Sequence, residues 1–161
     1  MLDRLIAYLR ATLGASQRPW HPLAAEFERC TDYLALMAIR MGPRLAVQVD
    51  LPAALRDVPV PPLLLQPLVE NAIRHGLEPK VEGGRIEIAA ARDGDRLRLS
   101  VRDTGVGPGA VATAGTGFGL RQVRERLATL YGSRAAFELR AAADGGTLAL
   151  LTLPLDAAPP R

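Results

Sequence analysis

Three clusters of side chains in this 161-residue sequence have types and spacings suited to chemistry. The first is Glu70, Asn71, Arg74 and His75, which share one face opposite Leu68, Val69, Ala72 and Ile73 when the segment is wound as a helix. The amide oxygen of Asn71 suits a hard cation such as Mg²⁺, and the Glu70 carboxylate suits orienting a nucleophile beside a phosphate or taking its proton. His75 lies one turn on, placed to touch a phosphate or to brace the helix. The plain alternative is a solvated face on which Glu70 pairs with Arg74 at i, i+4.

The second is a lone carboxylate. In the run 96–103, alternation turns Leu97, Leu99 and Val101 to one face, and Asp103 is next in that inward series. An ionised, unpaired carboxylate is costly in a core. Asp103 therefore either meets a polar ligand or turns outward at the strand end, as a turn-initiating Asp before Thr104 and Gly105 does. The third cluster is Gly115, Thr116, Gly117, Phe118, Gly119 and Leu120, a glycine string opening a helix, where bare N–H groups attract an anion. Alone it identifies little. A dinucleotide-binding turn belongs after the first strand of a βαβ unit, and no G-x-x-x-x-G-K-S/T loop occurs, so both common nucleotide signatures are disfavoured.

Alternating strands and helices must hold these clusters. Pro61 and Pro62 open the segment that carries the first, and Pro67 inside it predicts a kink or a short turn before a helix over about 67–75, with Gly76 as its stop. Strands are expected at 45–49, 85–91, 96–102, 135–140 and 147–153, with turns at Asp93-Gly94 and Asp144-Gly145-Gly146. The glycine-rich stretch 103–117 reads as a loop, and Leu120, Val123, Leu127 and Leu130 mark a helix over 118–131. The sum is a mixed sheet covered by helices on one face. Ahead of it, Leu2, Leu5, Ile6, Leu9 and Leu13 predict a helix ending near Gly14, and 15–22 reads as a loop. Leu23, Phe27, Cys30, Leu34, Met37 and Met41 predict a second helix stopped by Gly42-Pro43. Their apolar stripes need partners, a dimer interface among the candidates.

Composition narrows the class. The single Cys30 excludes an internal disulfide and points to a reducing, cytosolic compartment. No apolar run reaches the length of a membrane span, and no signal pattern follows Met1. The net charge of +3 comes with one lysine, Lys80, and arginines scattered as solvated surface would be. With three Phe, three Tyr and one Trp, base-stacking platforms are scarce, which argues against nucleic acid as a partner.

In this order the clusters resemble the GHKL superfamily of ATP-binding domains, which groups gyrase, heat-shock chaperone, histidine kinase and MutL-type proteins. PPLLLQPLVENAIRHGLEPK at 61–80 looks like the N box of the LytS-type sensor histidine kinases. RDTGVG at 102–107 is similar to their first glycine box, GTGFGLRQVRERLATLYG at 115–132 to their second, and GGTLALLTLPL at 145–155 to their last strand. Residues 1–44, with YLALMAIRMGPRL, resemble the helical segment before that domain. The resemblance implies an α+β fold, a two-layer α/β sandwich of GHKL (Bergerat) type. In it a mixed, mostly antiparallel sheet carries helices on one face and follows two N-terminal helices. Residues 1–44 would form a helical segment belonging to a dimerisation region, 45–156 the catalytic domain and 157–161 a flexible tail.

The resemblance also implies ATP and Mg²⁺. Asn71 would coordinate the Mg²⁺ that bridges the phosphates, Glu70 would assist phosphoryl transfer, and His75 would lie by the phosphates. Asp103 would accept a hydrogen bond from the adenine amino group. Gly105 and Gly107 would let the turn pack against the base, and Thr147 would approach adenine through water. Gly115, Thr116, Gly117, Phe118, Gly119 and Leu120 would form the lid and its hinge. The implied partners are a response regulator receiver domain, reached through a longer parent kinase, and a second copy in a parent homodimer. This segment would touch neither nucleic acid nor membrane and would be cytoplasmic, with any inner-membrane anchor upstream. Two departures stand out: Arg121 occupies a position where relatives usually have Asn, and the phosphoacceptor string of P-H-F-L-F-N type is absent. Only His21 and His75 exist. The chain is therefore expected to be a catalytic fragment that begins after the acceptor helix and binds ATP without phosphorylating itself. The competing readings are a nonenzymatic ATP-binding or dimerisation module and a GHKL ATPase of chaperone or topoisomerase type.

Overall fold

The computed structural model of the protein describes residues 2–6, 9, 20–108 and 118–155. Residues 2–6 and 9 are helical, with Leu2, Leu5, Ile6 and Leu9 exposed. The rest of the first predicted helix, the loop to residue 19 and the expected tail lie outside the described residues.

Strand β1 (His21–Pro22) leads into α1 (Leu23–Met41). The predicted stripe is the buried one: Leu23, Phe27, Cys30, Leu34 and Met41 all enter the core, with Met37 packed against it. Gly42–Arg44 form a short 3-10 turn, and β2 (Leu45–Asp50) follows. Then come β3 (Pro59–Val60), α2 (Gln66–Asn71), β4 (Gly84–Asp93), β5 (Arg96–Asp103), α3 (Phe118–Tyr131), β6 (Ala136–Ala141) and β7 (Thr147–Pro154).

Five strands make one sheet in the order β2-β4-β5-β7-β6, with β2 parallel to β4 and every other neighbouring pair antiparallel. Period-two alternation selects the inner face: Ile86, Ile88 and Ala90 on β4, Leu97, Leu99 and Val101 on β5, and Ala149, Leu151 and Leu153 on β7 are buried. Leu120, Val123, Leu127 and Tyr131 of α3 and Leu68, Val69, Ala72 and Ile73 of the α2 segment meet them, giving the expected layer of helices on one face. The stripe of α1 belongs to the same core, which continues across the turn at 42–44. Each fully buried Leu or Ile side chain contributes about 1.5–3 kcal/mol by leaving water.

The structure departs from the sequence reading in three places. Gly76 does not stop the helix: α2 runs on without a break as a π-helical turn, Ala72–Leu77, and Gly76 lies inside it. Pro67, by contrast, meets one of its two expected outcomes: a short turn at 62–65 precedes the helix, and Pro67 sits in the first turn of α2, where its missing N–H has no intrahelical partner to lose. Residues 21 and 22 are not loop but pair antiparallel with β3, His21 opposite Val60. The arginines are also not all solvated surface, since Arg29 is buried inside α1. Among the described residues no helix is long and apolar enough to cross a membrane.

Candidate functional site

The register of three strands places Asp103. It lies opposite Ile86 of β4 and Thr147 of β7, and it continues the inner series Leu97, Leu99, Val101 at 2% exposure. It faces inward, as the alternation predicts. Its carboxylate accepts hydrogen bonds from the backbone N–H of Gly105, at 2.9 Å, and of Thr147. Burial pushes its pKa from 3.8 up to about 6, against the pull of those two N–H groups and with Asp144 adding slightly to the rise.

The π-turn closes on this carboxylate. A Cβ at Gly76 would lie 2.6 Å from Asp103 Oδ1, and one at Gly105 would lie 2.0 Å from the Gly76 carbonyl oxygen. The Val106 N–H donates to that same carbonyl at 3.0 Å. Gly105 therefore packs against the Gly76 backbone, and Gly76 leaves room for the Asp103 carboxylate. Lys80 extends the tie, donating through Nζ to the Thr104 carbonyl at 3.0 Å, so the only lysine braces the turn.

Asn71, His75, Asp103, Gly107 and Thr147, from an α-helix, a π-turn, a loop and two strands, line a single cleft. Gly76, Pro108 and Leu139 complete its wall. The sequence reading had not singled out Pro108 or Leu139 as site residues. Leu139 is a half-buried position on an edge strand, and nothing in its local pattern separates it from the core. Glu70 stands one residue outside the cleft, half-buried, and accepts from Gln66 Nε2 at 3.1 Å. Gly105 lies behind the wall as the contact to Gly76. Gly119 lies in the first turn of α3, where a Cβ would touch Pro67 at 3.4 Å, and the Leu120 side chain enters the core instead of the cleft. Gly115, Thr116, Gly117 and the Phe118 side chain lie outside the described residues.

The donor set fits the groups that the sequence resemblance implies. An apolar wall from Leu139 and Pro108 beside a buried carboxylate suits a flat heteroaromatic ring that carries an amino donor. The Asn71 amide, which also lines the cleft, offers one oxygen to a hard cation. Among the described residues no group of three His, Cys, Asp or Glu side chains is arranged to hold a metal, so a cation at Asn71 would draw most of its ligands from phosphate oxygens and water.

Residues 62–157 match the family described as histidine kinase-, DNA gyrase B-, and HSP90-like ATPase. The sensor protein LytS of Staphylococcus haemolyticus is 30% identical over 159 residues, covering 92% of this chain and 27% of the relative. The sensor histidine kinase BtsS of Escherichia coli is 34% identical over 132 residues, covering 82% of this chain and 23% of the relative. The chain thus spans about a quarter of the length of the curated relatives it matches. Among solved structures, a blue-light activated histidine kinase of Erythrobacter litoralis shares the fold at a TM-score of 0.62 and 22% identity, covering 96% of this chain and 54% of that one. The histidine kinase AdeS of Acinetobacter baumannii does so at a TM-score of 0.62 and 18% identity, covering 97% and 79%. The chain belongs to the histidine kinase-, DNA gyrase B- and HSP90-like ATPase family.

Proposed function

We propose that the cleft holds ATP with Mg²⁺ and that, in a longer parent chain, it delivers the γ-phosphoryl group to a histidine of a two-component sensor kinase. The observation that carries this reading is the buried Asp103 carboxylate, open to a cleft that also receives Asn71 and His75. Asp103 accepts a hydrogen bond from the adenine amino group, Gly105 and Gly107 let the turn lie against the base, and Thr147 assists through water. Asn71 holds the Mg²⁺, and His75 lies along the phosphates. Bound Mg²⁺ supplies charge neutralisation on the phosphoryl oxygens. Gly119 and Leu120, in the first turn of α3, are assigned as backbone donors to the phosphates.

In the transfer, the bond between the γ-phosphorus and its bridging oxygen breaks and a phosphorus–nitrogen bond to imidazole forms. Glu70 is the group we assign to take the imidazole proton. His21 is not the acceptor: it is buried and both ring nitrogens are engaged. The acceptor histidine, the homodimer and the response regulator receiver domain belong to the parent protein, and this domain works in the cytoplasm.

Calorimetric titration of ATP and ADP with Mg²⁺ tests the site. Asp103→Ala should weaken both nucleotides about tenfold or more, the scale of a lost hydrogen bond to a charged group. Equal affinity in the wild type and Asp103→Ala would remove the adenine assignment.

A further inference from the structure

Helix α2 begins without a cap of its own, because Leu65 stands at its N-cap and supplies no side-chain hydrogen bond. Backbone N–H groups left bare in a core cost about as much as a lost hydrogen bond, so a partner must come from another element. It comes from α1. Glu26 is 1% exposed, and its Oε2 accepts from the Leu64 N–H at 3.2 Å and the Leu65 N–H at 3.1 Å. Its Oε1 accepts from His21 Nε2 at 2.8 Å, and Arg29 Nη2 donates to His21 Nδ1 at 3.1 Å. Arginine can only donate, so His21 Nδ1 is the acceptor and Nε2 carries the proton. Nε2 thereby holds Glu26, while Nδ1 is held in turn by Arg29.

The same turn is gripped from its other side. Arg126 of α3 donates through Nη1 to the carbonyl oxygens of Pro62 and Leu63. Leu63 has a φ of 58°, a left-handed conformation that a leucine keeps only where its surroundings impose it. Burial draws the Arg126 guanidinium below its ordinary pKa while the Glu26 charge opposes the fall, so the two groups feel each other across the turn. Just upstream of His21, Trp20 meets Tyr131 at the end of α3 edge to face, with ring centroids 5.8 Å apart.

The geometry points to the turn at 62–65 as the junction that sets the helix bearing Asn71 and His75, with Glu26 and Arg126 as its positioning residues. Through it the chain arriving at residues 20–22 and the helix that follows the glycine loop are both registered on the phosphate end of the cleft. This rests on the ATP and Mg²⁺ reading only for the choice of ligand that reports it.

Two variants of the full chain test the junction, Glu26→Gln from one side and Arg126→Gln from the other. The first readout needs no ligand: hydrogen exchange at the Leu64 and Leu65 amides should accelerate in Glu26→Gln. The second is ATP affinity with and without Mg²⁺. Both variants should lose about tenfold of the gain in affinity that Mg²⁺ brings, the scale seen when a group supporting a metal ligand is removed. Their Mg²⁺-free affinity should stay within about twofold of wild type, because the adenine end lies on other elements. Unchanged amide exchange in a folded Glu26→Gln overturns the clamp. A parallel fall of both affinities, or no fall in either, overturns the positioning role, and Arg126→Gln decides this alone if Glu26→Gln does not fold. Failure of the wild type to bind ATP would overturn the ATP reading and with it the positioning role, while the exchange result would still decide the clamp.

Discussion

Replacing Asp103 with Asn tests the chemistry of the site most directly. The carboxylate is 2% exposed, and burial raises its pKa from 3.8 to about 6. A shift of that size corresponds to about 3 kcal/mol of differential interaction, at about 1.4 kcal/mol per unit. Its direction fixes the pH dependence. The folded state binds this proton more tightly than the unfolded chain does, so the contribution to stability is fully present below the unfolded value near 3.8. It is lost as pH rises through about 6. Asp103→Asn removes the titration while keeping the shape. Urea unfolding of both proteins across pH 4 to 7.5 should therefore give a stability difference that changes by about 2.5 kcal/mol in that window, wild type losing ground as pH rises. All other titrating groups are common to the two proteins and cancel. ATP titration should show the converse in the wild type: affinity falls as the pH drops below about 6, because a protonated carboxyl accepts the amino proton less strongly. Parallel stability curves, or a wild type that gains on Asp103→Asn as pH rises, would refute the assignment of a buried carboxylate whose two backbone donors do not offset its burial.

The packing yields further expectations. Gly105→Ala puts a Cβ 2.0 Å from the Gly76 carbonyl and should cost about 3 kcal/mol in denaturant unfolding. Gly94→Ala, which meets nothing within 4 Å but sits at a φ of 63°, should cost only about 1–2 kcal/mol; equal losses would show that the contact between the two backbones is unimportant. Leu99→Ala empties a site that is 0% exposed at the centre of β5 and should cost about 2–5 kcal/mol by the same assay. Burial in α1 pushes the Cys30 thiol well above its ordinary pKa, with the Glu26 carboxylate adding to the rise. A thiol reagent at pH 7.5 should therefore leave it unmodified until denaturant is added, and stoichiometric labelling of the folded protein would contradict its placement.

Much of the architecture follows from periodicities that the chain displays openly. The alternation that turns Leu97, Leu99 and Val101 inward also turns Asp103 inward, so the most unusual residue of the cleft was visible from one strand. The apolar stripes of α1 and α3 were equally plain. Assembly of the cleft was not visible in that way, since Asn71, Asp103 and Thr147 are brought together only by the pairing of β5 with β4 and β7 and by the π-turn lying against Gly105. The order of the motifs supplied what local pattern could not. Gly76 misled because a glycine after a helical stripe reads as a stop, whereas here it admits the opposing Asp103 carboxylate and Gly105 backbone.

The cluster of His21, Glu26 and Arg29 was hidden for a different reason. Charged residues at helical spacing next to an apolar stripe read as a solvated face, and only a partner distant in sequence reverses that. Yet a signal was present at the partner. The stretch PPLLL before α2 contains no Ser, Thr, Asp or Asn to cap a helix, although the helix starts inside the core. Its leading N–H groups had to find an acceptor, and a buried start excludes water as the general solution. The missing cap thus implied a carboxylate or carbonyl arriving from elsewhere, and Glu26, 38 residues before Leu64, is that acceptor. Once it is buried there, its second oxygen needs a donor in turn, which accounts for His21 and then Arg29 as successive members of one chain of hydrogen bonds. The upstream segment is therefore joined to the nucleotide domain by the same requirement that starts its central helix.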